Sequence, residues 1–142
     1  MRNDLSRAKN WISFILERCD FPDREALAAQ FANADITEFC ECGCNSFSLT
    51  IAAPWVPKIA TAGTGYGLVY EANFRALGKL EELKSLDILL FANDAGYLRH
   101  VEIDFCANAL PVPETLELEA TPYHVFRSEK LRRARTERTT FR

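Results

Sequence analysis

Cys40, Cys42 and Cys44 stand at every second position of Cys40-Glu41-Cys42-Gly43-Cys44, and they are three of the chain's five cysteines. Thiolates bind zinc well, and zinc takes four ligands in a tetrahedron. Cys19, Cys106, His100 or His124 would have to supply the fourth. The spacing argues against such a centre, because structural zinc sites draw on two separated cysteine pairs and this chain has no second pair. An odd count also leaves one thiol outside any set of disulfides. The cysteines therefore read as packing and turn residues, with zinc held by Cys40, Cys42 and Cys44 as the alternative. No other cofactor is expected.

A second constellation comes from strand alternation. If Val101, Ile103 and Phe105 point into a core, then His100, Glu102 and Asp104 leave the opposite face. Glu71 leaves its own strand in the same way. A histidine beside carboxylates can move protons or hold a metal. No nucleophile or phosphate loop accompanies it, so no catalytic residue is assigned. The same charges can dock a basic protein. Glu71, His100, Glu102 and Asp104 are the candidate partner-binding residues.

Two other stretches carry less. Gly63-Thr64-Gly65-Tyr66-Gly67 precedes a strand and has no Gly-Lys-Ser/Thr, so it does not cradle phosphate. Arg132, Arg133, Arg135 and Arg138 lack the interleaved aromatics of a nucleic-acid platform, so no direct nucleic-acid contact is expected.

The elements that position these residues follow from periodicity. Leu5, Ala8, Trp11, Ile12, Ile15, Leu16 and Cys19 make one apolar stripe, which predicts a helix over 4–19 with Cys19 as a core thiol. Pro22, Asp23 and Glu25 suit the first turn of a second helix running to about residue 32. Strands are then expected near 36–40, 46–51, 66–74, 84–91 and 97–106. Tyr66, Leu68, Tyr70, Ala72 and Phe74 share one face of the third. The more uniformly apolar 84–91 suits an interior strand, and Asn93-Asp94-Ala95-Gly96 suits a hairpin turn. In 97–106, Arg99 falls with Val101 and Leu98 with His100. Pro111 and Pro113 are expected to end the sheet, leaving a last short strand over 116–120 and Tyr123, Val125 and Phe126 packed back on the body. Two N-terminal helices followed by a mainly antiparallel β-sheet meander is an α+β fold.

A chain of 142 residues with 48% hydrophobic content makes a single domain with a real core. The net charge of −3 is unevenly spread. Residues 128–142 carry +4 and residues 1–127 carry −7. This divides the chain into an acidic domain, 1–127, and a basic tail or short helix, 128–142. An acidic body suits a basic partner and repels nucleic acid. No stretch is long and apolar enough for a membrane span or a signal peptide, so a cytoplasmic protein is expected.

One set of motifs points to a family. Thr37-Glu38-x-Cys40-x-Cys42-Gly43-Cys44-x-Ser46-Phe47-x-Leu49 occurs with Asp94-Ala95-Gly96-Tyr97-Leu98-Arg99-x-Val101-Glu102-Ile103 and a closing Pro111-Val112-Pro113. Over roughly residues 35–113 the chain resembles small bacterial immunity-like proteins of polymorphic toxin systems, including contact-dependent growth inhibition. That resemblance implies a cytoplasmic, non-catalytic protein. Its partner would be the C-terminal toxin domain of a cognate effector, whose active site it occludes. Many such toxins are nucleases with basic clefts, which an acidic body fits. The resemblance transfers no contact residues.

Overall fold

Asp4 starts the first helix. Its carboxylate accepts the Arg7 backbone N–H at 2.9 Å, and α1 runs from Leu5 to Arg18 with Ala8 and Ile15 buried beneath it. Arg18 in the last turn complements the helix dipole. Cys19 then turns extended and ends the helix, with its side chain in the core as the apolar stripe predicts. Asp23 caps α2, Arg24–Ala32, by accepting from Ala26 N–H at 3.1 Å. Pro22 thus lies before the cap rather than in the first turn.

The structure is a computed structural model and describes residues 3–41, 44–61, 63, 67–78, 84–107, 109–113 and 115–132. Its strands are β1 Ala34–Phe39, β2 Phe47–Ile51, β3 Gly67–Arg75, β4 Ser85–Ala92, β5 Leu98–Phe105 and β6 His124–Arg127. They form one six-stranded sheet in the order β1-β2-β5-β4-β3-β6, with every neighbouring pair antiparallel. The fold is α+β, with both helices preceding the sheet. β3, β4 and β5 form a meander. The β1–β2 hairpin joins it beside β5 through Phe47↔Val101 and Ser48↔His100, not beside its sequence neighbour β3.

Both helices serve one face of the sheet. Phe14 of α1 meets Phe74 edge-on with centroids 5.0 Å apart, and Phe21, ahead of α2, meets Tyr70 at 5.3 Å. Under them Leu86, Ile88 and Leu90 of β4, and Val101 and Ile103 of β5, are fully buried. Gln30 of α2 is buried among them with both amide ends bonded. Its Nε2 donates to the Pro57 carbonyl at 2.8 Å, and its Oε1 accepts Leu98 N–H at 2.7 Å. It pins the loop after β2 and the start of β5 to one helix.

Two register shifts change which residues face the core. One between Leu68 and Tyr70 buries Val69 beside Tyr70. The other, between Phe91 and Ala92, puts Leu98 into the core and Arg99 outside, opposite to the expected assignment. A bulge adds a residue to one strand and reverses its parity, which strict alternation cannot anticipate. The turn before β5 follows from its sequence. Asn93 Oδ1 accepts the N–H groups of Ala95 and Tyr97, each at 3.0 Å. Gly96 has φ +93°, and a Cβ there would collide with the Ala60 carbonyl.

The C-terminal third differs from expectation. Leu118 makes only an isolated bridge to Ala76, and the last strand is β6, paired with β3. Pro111 and Pro113 therefore interrupt the sheet without ending it. Val125 packs on the core, but Tyr123 and Phe126 are exposed. Residues 128–132, assigned by charge to the tail, pair with the chain at 59–61. Thr61 N–H donates to the Lys130 carbonyl at 2.9 Å and Arg132 N–H to that of Ile59 at 2.8 Å. The docked chain thus runs past residue 127. Arg133, Arg135 and Arg138 lie outside the described residues.

Candidate functional site: the polar face of the sheet

Strand register brings the nominated residues together on the face away from the helices. His124, Asn73, Asp87 and Asp104 form one row across β6, β3, β4 and β5. Phe126, Glu71, Leu89 and Glu102 form the next row. Phe91, His100, Ser48 and Glu38 form a third, across β4, β5, β2 and β1. All four nominated residues lie on this face, and Asp87, Asn73, His124, Leu89, Phe91 and Phe126 join them.

The rows are linked by side-chain hydrogen bonds. His124 Nδ1 and Asn73 Oδ1 lie 2.8 Å apart. The Asn73 amide donates to Glu71 Oε2 at 2.9 Å and to Asp87 Oδ1 at 2.6 Å. Ser85 Oγ donates to Asp87 at 3.0 Å and lies 2.9 Å from Tyr123 OH. Asp104 and Glu102 share a hydrogen bond, and Glu102 lies 3.9 Å from His100 Nε2. His100 Nδ1 lies 2.9 Å from Ser48 Oγ. Asn73, buried at the centre, orients two carboxylates that would otherwise repel.

This crowding sets the charge. Burial first, then the charge and hydrogen bond of Glu102, then Asp87 and Glu71, push the Asp104 carboxyl up to about 7. Burial holds the His100 imidazole below its ordinary value, with Arg99 adding to that, against the opposing pull of Glu102 and Glu38. The face is therefore a sheet of carboxylates with a neutral imidazole at one side. It presents negative charge to a basic surface, and Asp104 can exchange a proton near neutrality.

Asp87 is visible once 84–91 is split by face: Ser85 and Asp87 alternate with Leu86, Ile88 and Leu90 in a stretch whose more uniformly apolar composition masks the pattern. His124, on the strand that periodicity did not place, gave no comparable signal.

The described cysteines of the cluster, Cys40 and Cys44, lie between β1 and β2. Cys40 N–H donates to the Ser46 carbonyl at 3.0 Å, and Asn3 Nδ2 donates to the carbonyls of Cys40 and Ser46 at 3.2 and 2.8 Å. Ser46 Oγ accepts Ile103 N–H at 2.9 Å, where β2 pairing stops. Cys44 is buried, and Cys42 and Gly43 lie outside the described residues. The proposed fourth ligands are dispersed. Cys19 is a core thiol whose pKa burial pushes up to about 12, which opposes thiolate formation. Cys106 follows β5, while His100 and His124 belong to different strands of the polar face. Among the described residues no group of three or more His, Cys, Asp or Glu is placed to hold a metal ion. None of their helices is long and apolar enough to cross a membrane. Set against known proteins, the chain matches no family model, no curated protein and no solved structure.

Proposed function

We propose that this chain is a cytoplasmic immunity protein that binds the C-terminal toxin domain of a cognate effector, a nuclease by charge complementarity, and occludes its active site without catalysing a reaction. The observation that carries this reading is the clustering of Glu71, Asp87, Glu102 and Asp104 on three adjacent strands of the polar face. A cleft built for nucleic acid is basic, and a concentrated acidic surface competes for it and speeds encounter. Leu89, Phe91 and Phe126 lie among the carboxylates and supply the apolar contact that a tight interface needs. The family resemblance over residues 35–113 supports the same reading.

The test is co-expression with the C-terminal domain of a large secreted effector encoded beside this chain. Growth is restored, and the purified pair binds one to one with an affinity that falls as salt rises. The double reversal E102K/D104K weakens binding by about 100-fold or more, the scale of coupling between close charge pairs at such interfaces. Unchanged affinity removes this face from the interface, and failure to restore growth removes the function.

A further inference from the structure

A groove of about 520 Å³ runs along the outer side of α1, against Pro113 and Leu116 to Leu118. It is independent of the polar face. Arg7, Trp11, Phe14 and Arg18 recur at helical spacing and make its floor, while Leu116 and Leu77 belong to its other wall. The volume is that of a small-molecule site. Its chemistry is unlike that of the rest of this acidic body. Two half-buried arginines, Arg7 and Arg18, share it, separated by about 16 Å of helix rise. Among the described residues neither forms an ion pair, although Glu117 lines the same groove.

Arg18 is preorganised. Its Nη1 donates to the carbonyls of Leu118 and Glu119 at 3.3 and 3.4 Å, and its guanidinium lies over the Phe14 ring at 5.0 Å. Those bonds use one nitrogen of a fork that can also receive a carboxylate through the others. Trp11 meets Phe14 edge-on at 5.4 Å, so two aromatic surfaces adjoin the charge. Leu77 is 56% exposed at the rim, an apolar side chain with little of its own to cover it.

We propose that this groove binds a small organic carboxylate with an aromatic body. The carboxylate pairs with Arg18, and the ring system lies against Trp11 and Leu116. A neutral molecule of the same shape lacks the first term, and a cation is repelled.

The probe is naphthalene carboxylate, with naphthalene methanol as its neutral counterpart. Binding is read from the Trp11 indole N–H resonance in a W55F background, which leaves Trp11 as the only tryptophan. The carboxylate shifts this resonance saturably, and the alcohol binds at least about tenfold more weakly, as loss of a charge-assisted hydrogen bond requires. R18Q weakens the carboxylate and leaves the alcohol unchanged. Should R18Q unfold by far-UV circular dichroism, R18K decides: it keeps the charge, loses the fork, and weakens the carboxylate alone. Equal binding of acid and alcohol, no shift up to about 10 mM, where affinity is negligible, or a carboxylate indifferent to both R18Q and R18K overturns the proposal.

Discussion

The two faces of the sheet are built from the same strands and differ in almost everything else. In β4, Leu86, Ile88, Leu90 and Ala92 face the helices and are buried, while Ser85, Asp87, Leu89 and Phe91 face away and are half-exposed. The covered face is held by apolar area and packing, with Gln30 as a fully bonded polar insert. The other face gathers carboxylates that repel one another and relieves them with Asn73 and a raised Asp104. A face built for stability would not concentrate like charges. The difference therefore separates the residues that maintain the fold from those available to a partner.

Substitutions on each side sharpen this contrast. The largest effect is expected at the covered face, where Ile88→Ala leaves a cavity in the central strand and costs about 4 kcal/mol in urea denaturation. Gln30→Ala orphans the buried Leu98 N–H and frees the Pro57 carbonyl, and is expected to cost about 2 kcal/mol, with faster amide exchange at Leu98. An effect below about 1 kcal/mol at either site would break the assignment of stability to this face.

Substitution at Asp104 should act in the opposite direction. An unfolded aspartate titrates at about 4, and burial with the neighbouring carboxylates pushes Asp104 in the folded chain up to about 7. Between these values the folded chain holds a proton that the unfolded chain has released. Stability therefore falls as pH rises from about 4 to about 7, then levels off. Asp104→Asn is expected to stabilise the protein at pH 8 by on the order of 1 kcal/mol, after solvent screening is allowed for. Comparing urea midpoints of the two proteins at pH 5 and pH 8 checks both sign and window. The smallest effect is expected for Leu89→Ala, next to Ile88 but on the polar face, at under about 1 kcal/mol. A loss as large as that of Ile88→Ala would mean that the polar face is also core.

Much of the fold was legible because hydrophobic period reports local structure. The stripe from Leu5 to Cys19, the alternation in 47–51 and the Asn93–Gly96 turn each express a preference that neighbours in sequence enforce. The candidate site was half legible. Glu102 and Asp104 declared themselves through their alternation with Ile103 and Phe105. Asp87 lies in a strand whose more uniformly apolar composition suggests an interior position, not a two-faced one. The parity of Leu98 and Arg99 was lost at a bulge that depends on the neighbouring strand.

What the sequence by itself determined is therefore the kind of element at each place, the excess of acid in residues 1–127, and the presence of His100, Glu102 and Asp104 on one side of one strand. Tertiary structure alone decided that the β1–β2 hairpin sits beside β5, that β6 closes the other edge, that Asp87 stands across from Asp104, and that Glu71 shares a row with Glu102 on either side of Leu89. The reason is physical. Alternation acts between adjacent residues of one chain, whereas strand order and register are set by which hydrophobic faces can be buried together. A carboxylate's neighbours across a sheet, and with them its proton affinity, exist only after that choice is made.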